Sequence, residues 1–590
     1  MAKRGGAIHV TTHSRHYTGK DGVTRHYQTH LLRRSWREDG KVHNETVANL
    51  SHLPPELIEI IRGSLAGTFY VPAGDAASIT RSLPHGHVAA VLAQAKALGL
   101  PALLGPAGRA RDLALAMIIA RILHPGSKLA TTSWWDETTL GVDLGLAGAG
   151  TDEAYAAMDW LLARQDSIEK KLAARHLTPE QNRPGMAMFD LSSSWMEGTH
   201  CPLAARGYSR DGKKNKPQIE YGLLTDPAGR PVAIEVFAPN TADPTAFTHI
   251  VQTIREKFKL HRLIMVGDRG MITAARIDAL RTETDLGWLT ALRAPSIQKL
   301  AADDGPLQLS LFDEQDLAEI THPDYPNERL VACRNPALAT ERARKRGELL
   351  AATEDALAPL ITAVQAGRLH GSGPIGVRVG KIIDKYKMAK HFTLTITDDQ
   401  LRVERKTAQI TAEAALDGIY VIRTSVPAGD LDAAGVVGAY KNLSRVERDF
   451  RSIKVDDLDL RPIFHRLEDR VRAHVLVCML AAYLTWHLRK TLAPLTFTDQ
   501  DPPPRTDPVA AAQRSTAATR KASRHADAAG APVRSFRGLL DHLATLTRND
   551  LRYGTDPAIP VVPTLAEPTE TQRRVFELLD APIPVTLTRK

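Results

Sequence analysis

A chain of 590 residues is too long for one ordinary hydrophobic core and has material for about three or four structural units, and its 43% hydrophobic and 24% charged residues exclude global disorder. Three scattered cysteines, Cys201, Cys333 and Cys478, exclude a disulfide framework and a CxxC metal site and suit a reducing cytoplasm. The net charge of +9 and pI near 9.3 favour a polyanionic partner.

Residues 1–50 carry nine Lys or Arg against four Asp or Glu, plus six His, and alternating segments such as Thr24 to Leu32 predict short strands, hence a small basic β-rich unit. Basic residues but no apolar run follow Met1, so the expected location is the cytoplasm. Residues 51–184 turn helical, with an apolar-periodic helix from Asp112 to Leu123 stopped by Pro125 and Gly126 and a second helix opening near Ser127. Helix, turn and polar helix is the outline of a DNA-reading helix-turn-helix, although two packed amphipathic helices give the same pattern; binding of DNA ends is one expectation for this region.

From Gly185 the pattern becomes that of strands: Met186 to Leu191, Ile219 to Leu224, and Val232 to Phe237 after the turn Asp226-Pro227-Ala228-Gly229. A helix from Pro244 to Lys257, the apolar strand Leu263 to Val266, a helix from Ile272 to Arg281 and a strand Trp288 to Leu292 follow. Such alternation predicts a mixed α/β sheet covered by helices. Residues 293–428, with a basic helix from Glu341 to Ala366 and strands Phe392 to Ile396 and Gly418 to Arg423, are expected to be an insertion domain with its own fold. The core then spans 185–292 and 429–498, and includes a helix from Tyr440 to Lys454 and a longer one from Arg466 to Arg489. The apolar run Val475 to Trp486 is shorter than the ~20 residues of a membrane span and predicts a buried helix. Residues 499–533, poor in large hydrophobes, are expected to be a flexible linker before a small C-terminal segment, 534–590, that opens with a helix from Phe536 to Thr547.

Asp190 and Asp268 each stand at the end of an apolar strand, where an α/β sheet places its ligand crevice. Two carboxylates delivered there repel each other, and hard divalent cations relieve that repulsion. A third carboxylate completes a site for two metals ~3.5–4 Å apart, the geometry of phosphodiester chemistry. Glu447 is the candidate, because at ~100° per residue Tyr440, Glu447 and Lys454 form one stripe, with Leu443, Val446, Phe450 and Ile453 on one side and Lys441, Arg448 and Arg451 on the other.

This run resembles the Tyr-x2-Arg-x3-Glu-x6-Lys signature of DDE-type bacterial insertion-sequence transposases. Tyr440, Glu447 and Lys454 match, whereas the arginine position is Leu443, with Arg451 one turn beyond Glu447 as a substitute. Asp190-Leu191-Ser192-Ser193-Ser194 and Val266-Gly267-Asp268-Arg269-Gly270-Met271 resemble the family's first and second aspartate motifs. The resemblance implies an RNase H-like core interrupted by an insertion domain, preceded by the β-rich unit and the helical region. It also implies catalysis and metal binding by Asp190, Asp268 and Glu447 with two divalent cations, Mg²⁺ or Mn²⁺, and phosphate contacts by Tyr440 and Lys454.

Arg448 and Arg451 are further phosphate candidates. So are Arg210, Lys213 and Lys214 in the segment 206–216, which carries five cations against one anion. Trp288 reads as a core residue more readily than as a base-stacking one. The expected partners are double-stranded DNA, as element ends and target, and a second copy of the chain; no membrane is expected. A nuclease of the same fold and a DNA-binding protein with a degenerate metal site are the alternatives.

Overall fold

Within residues 6–587, the computed structural model describes all but 39, 69, 71–76, 180–183, 198–199, 208, 210–211, 214, 238–242, 282–284, 303–304, 505–506 and 555–556. The chain divides into two units, Met1–Ser82 with Arg548–Thr564 and Leu83–Thr547 with Leu565–Lys590.

In the first unit, alternating Thr, Val, His, Tyr and Leu build β1 (Ala7–Thr18), β2 (Thr24–Glu38) and β3 (Lys41–Asn49), an antiparallel meander whose tight turns use Gly22 and Gly40 at positive φ. The helix α1 (Pro55–Leu65) lies along β1, where Arg62 donates to Thr12 Oγ1 at 3.0 Å. A second sheet joins β4 (Ala77–Pro84) to Thr547–Tyr553 and Val562–Leu565. The sequence reading had a helical region and a separate C-terminal segment there. A strand whose partner lies 470 residues away, as Thr80 and Asp550 do, leaves no local turn signal to read.

The second unit opens with a helical layer. In α2 (Arg109–Leu123) every residue from Asp112 to Leu123 is buried. The following α3 (Lys128–Asp136) is capped by Ser127, bends from α2 by 95°, and buries Lys128, Thr131, Thr132, Trp134 and Trp135. Only Leu129, Ser133 and Asp136 of α3 are exposed, so the pair that reads as a helix-turn-helix is packed into the core.

The main sheet follows with β5 (Gly185–Trp195), β6 (Gln218–Thr225), β7 (Pro231–Phe237), β8 (Leu263–Val266), β9 (Leu286–Ala291), β10 (Leu317–Ile320) and β11 (Arg329–Arg334). Next come α4 (Pro336–Gln365), α5 (Ser372–Tyr386), the hairpin β12 (Phe392–Ile396) and β13 (Leu401–Arg405), and β14 (Ile419–Thr424). Eight strands run in the order β10-β11-β14-β9-β8-β5-β6-β7. β5, β8 and β9 are parallel to one another; β6 and β7 continue antiparallel on one side, and β14, β11 and β10 on the other.

The insertion is therefore only partly a fold of its own. Its strands β10, β11 and β14 extend the main sheet, pairing through Ile422 opposite Ala291, whereas α4, α5 and the β12–β13 hairpin enclose a separate core around Leu357, Ile375, Val379 and Phe392. Alternation within one strand does not say which sheet it joins.

α6 (Ala433–Lys441), α7 (Leu443–Arg451) and α8 (Glu468–Thr491) complete the core. At 24 residues α8 is long and apolar enough to cross a bilayer, longer than its apolar run suggested, but 83% of its most apolar stretch is buried by the unit itself, where it packs on β7 and α2. The segment expected to be a flexible linker is ordered. It carries a helix, Thr516–Arg524, capped by Ser515, and Lys441 Nζ donates to the carbonyls of Pro508, Val509 and Ala510 at 2.6, 2.6 and 3.0 Å. Polar anchoring of backbone replaces the hydrophobes that it lacks.

Candidate active site

In the parallel pair β5 and β8, Met188 stands opposite Val266. Two residues further on come Asp190, still on β5, and Asp268, just past the end of β8, so chains ~4.8 Å apart deliver both carboxylates to one level. β5 is held in place by Phe189, whose ring lies over Gly222 on β6; a Cβ there would meet the ring at 2.5 Å. Gly267 keeps β8 paired, its N–H donating to Leu289 O at 3.2 Å, and a Cβ there would press on the Ile272 side chain at 3.1 Å. Asp268 then closes a tight turn, its Oδ1 accepting the N–H groups of Gly270 and Met271 at 2.9 Å each. Asp190 Oδ1 accepts its neighbour Leu191 N–H at 2.8 Å. Asp190 is half-buried and Asp268 exposed.

Glu447 comes from α7, which lies over β5. The helix is fastened by buried Val446 and Phe450, the latter meeting Tyr221 of β6 edge-on at 5.7 Å, and by Arg445, which donates to Pro227 O at 2.6 Å. Glu447 itself is exposed. Tyr440, half-buried at the end of α6, links the carboxylates: burial first, then the negative charges of Asp268 and Glu447, raise its phenol above the usual range, against the pull of Arg269. The hydroxyl is thus a proton donor at neutral pH. Two residues beyond Glu447, burial pushes the Asp449 carboxyl up to about 8, against Arg448 and with Asp226 adding to the push. Among the described residues no three His, Cys, Asp or Glu side chains converge closely enough to hold a metal ion.

The expected continuous stripe of Tyr440, Glu447 and Lys454 is broken. Asn442 separates α6 from α7, and Ser452–Asp456 forms a π-helical turn with i→i+5 bonding, which shifts the residues beyond it off the α-helical stripe. Lys454 is consequently buried, whereas Arg448 and Arg451 are exposed near Glu447 on α7. Of the basic segment, Lys213 lies away from Asp190. β5 continues to Trp195, ~17 Å along the strand, and Lys213 Nζ sits 5.6 Å over the Trp195 ring. Arg210 and Lys214 lie outside the described residues. Trp288 is buried in β9 with the Arg423 guanidinium 5.3 Å over its ring.

One feature gave no sequence signal. A cleft of about 650 Å³ runs between Tyr440, Arg269 and the insertion helices, lined by Arg342, Lys345, Lys387 and Tyr386 among others. Its cations come from three separated segments, around Arg269, Arg342 to Arg346 and Lys387 to Lys390, which only the fold brings together.

Five of the strands, in the order β7-β6-β5-β8-β9 with β5 central, β6 and β7 antiparallel and β8 and β9 parallel, define an RNase H-like core, here with Asp268 just past the end of β8 and Asp190, expected at a strand end, in the middle of β5, which runs on to Trp195 in its pairing with β6. Residues 194–484 match the family model of the transposase DDE domain, so the chain carries a DDE-type transposase domain. The match includes Asp268 and Glu447 and begins four residues after Asp190. Among solved structures, a piggyBac transposase synaptic complex with hairpin DNA is similar at 8% identity and a TM-score of 0.32, covering 68% of this chain and 72% of that one. No curated protein matches.

Proposed function

We propose that this transposase binds the terminal inverted repeats of its own insertion sequence, cleaves phosphodiester bonds at the ends and joins the freed 3′-hydroxyls to target DNA. The observation that supports this is the delivery of Asp190 and Asp268 to one level of β5 and β8, with Tyr440 near enough to Asp268 and Glu447 to respond to both charges.

Carboxylate oxygens are the donors that Mg²⁺ and Mn²⁺ take, so Asp190, Asp268 and Glu447 have the right chemistry for a pair of such ions, although among the described residues they do not converge on one, and Glu447 would have to move toward the two aspartates to complete the site. Bound there, the ions would supply Lewis acidity toward the phosphodiester and an acidified water. The protonated Tyr440 hydroxyl donates to a phosphate oxygen, and Arg448, Arg451 and Lys213 offset backbone charge along the strand. Lys454, buried within the π-helical turn, reaches phosphate only if that turn rearranges. Both ends have to be held at once, so two copies of the chain act on paired ends, in the cytoplasm on nucleoid DNA.

The test is a strand-transfer assay with pre-cut repeat ends, a supercoiled target and Mg²⁺ or Mn²⁺. Joined product is expected. Cleavage of uncut ends without joining would make the protein a nuclease of the same fold, and binding without either would leave a DNA-binding protein.

A further inference from the structure

The β1–β2–β3 sheet of the first unit has two faces of different chemistry. On the even-numbered face of β1, Thr12 pairs with His30 at 3.0 Å, Arg34 with Glu45 at 3.6 Å, and Trp36 stacks on His43 while donating to Glu38, so its polar groups satisfy one another, and α1 covers part of it through Arg62. The register sets the other face: His9 opposite Arg33, Thr11 opposite Leu31, Arg15 opposite Tyr27 and Tyr17 opposite Arg25, with Arg37 opposite Val42 of β3. The two strand carboxylates, Glu38 and Glu45, fall on the first face; the described strand positions of the second carry none. Arg25 is paired, to Asp21 in the turn at 2.6 Å, while among the described residues no ion pair reaches Arg15, Arg33 or Arg37.

We propose that this second face is a platform for the backbone of duplex DNA, an inference that rests on the DNA-transposing role proposed above and names a surface for it. Tyr17 and Tyr27 remain 60% and 54% exposed there, each directly opposite an arginine, and no aliphatic cluster surrounds them that a protein partner would bury. Arginines on one face of β2 from Arg25 to Arg37 span ~40 Å of extended strand, close to one ~34 Å turn of duplex. Arg25, Arg33 and Arg37 spread over that length, with Arg15 on the neighbouring strand, complement a long, regularly charged polyanion better than a folded protein surface. The contacts are to phosphate and carry no sequence information, so the platform holds DNA of any sequence.

The experiment measures binding of the full-length protein to a random-sequence 40-base-pair duplex as a function of salt. Arg15→Ala and Arg37→Ala should each flatten the dependence of log K on log salt by about 0.9, and the double variant by about twice that, with affinity at least about ten-fold lower near physiological salt. Lys41→Ala, the same charge removed from the opposite face, should leave the slope in place, and Arg15→Lys with Arg37→Lys should restore it. Equal slopes for all variants, or an equal loss from Lys41→Ala, would overturn the platform. So would an unchanged slope accompanied by loss of a dimer in sedimentation of Arg15→Glu with Arg37→Glu, which would make the face a contact between copies. If the wild-type chain binds and cleaves its ends while the variants match it, only the platform falls; if the wild type binds no duplex, the proposed function falls with it.

Discussion

The two sheets differ in what makes a residue stand out. In the eight-stranded sheet both faces of the central strands are buried, so β5 and β8 read as apolar runs, and a carboxylate within one or just past the other is an exception that needs a reason. In the three-stranded sheet most positions are exposed, no single polar residue is exceptional, and the information lies in how charge is sorted between faces by the period-two register. Function in a buried sheet is carried by individual side chains, and on an open one by a surface. Single substitutions should therefore be decisive in the first and graded in the second.

The largest effect is expected at the three carboxylates of the proposed site. Asp190→Asn, Asp268→Asn and Glu447→Gln should each lower cleavage by at least about 100-fold while leaving duplex binding measurable, because each removes a hard ligand without touching the basic surfaces. Asp190 is the sharpest of the three, since the family match begins after it. Wild-type cleavage by Asp190→Asn in a single-turnover assay would remove it from the site and break the contrast between the sheets.

Next comes a half-buried polar group whose role is structural. Lys441 Nζ holds the carbonyls of Pro508, Val509 and Ala510, and a charge-assisted bond of this kind is worth roughly 1.5–3 kcal/mol net of exchange with water. Lys441→Ala should lower the thermal midpoint and expose residues around 508–510 to limited proteolysis, with little change in the salt slope of DNA binding. A changed slope with unchanged proteolysis would assign Lys441 to DNA instead.

A smaller effect separates Arg451 from Lys454, the pair on which the helix-stripe reading turns. Arg451→Ala should flatten the salt dependence by about one phosphate contact with the midpoint intact. Lys454→Ala should do the reverse, because the residue is buried behind the π-helical turn. If Lys454→Ala changes the slope and Arg451→Ala does not, the α-helical stripe survives in the DNA-bound state.

Much of this architecture was legible in the chain. The strands around Asp190 and Asp268, the turn at Asp226 to Gly229 and the long helix near Arg466 to Arg489 announce themselves by apolar runs bounded by turn residues. What was not legible depends on partners far away in sequence: β4 needs Thr547–Tyr553, β14 needs β9, and the segment near Val509 needs Lys441. The break at Ser452–Asp456 was hidden for another reason, since the three-and-four spacing of Val446, Phe450 and Ile453 is compatible with both an unbroken α-helix and one that widens to a π turn. Asp190 and Asp268 could be paired as candidates from strand ends alone, whereas the approach of Tyr440 to Asp268 and Glu447 required the fold.

The smallest effect concerns a polar exception in the buried unit that we expect to have no part in the chemistry. Lys128 opens α3, where an ammonium opposes the helix dipole, and it is buried; burial first and then the nearby Arg121 lower its pKa to about 7, with the Cys478 thiol acting weakly the other way. His465 and His474 face the same cations and are themselves lowered by burial, and among the described residues no carboxylate offsets the shift of Lys128. A lysine whose folded pKa lies below its unfolded value near 10.5 favours the folded state fully above that value, and the contribution is lost as pH falls from there through 7. The wild-type midpoint should thus fall on going from pH 9 to pH 6 by more than that of Lys128→Met, which carries no charge to desolvate. At pH 6 the variant should be the more stable by a few degrees, in line with the roughly 1–4 kcal/mol seen when buried ions are replaced by apolar groups of similar volume. Transposition at pH 8 should be unaltered. If Lys128→Met instead loses activity at unchanged stability, Lys128 joins the carboxylates as an exception that function explains, and burial alone no longer sorts the polar residues of this unit.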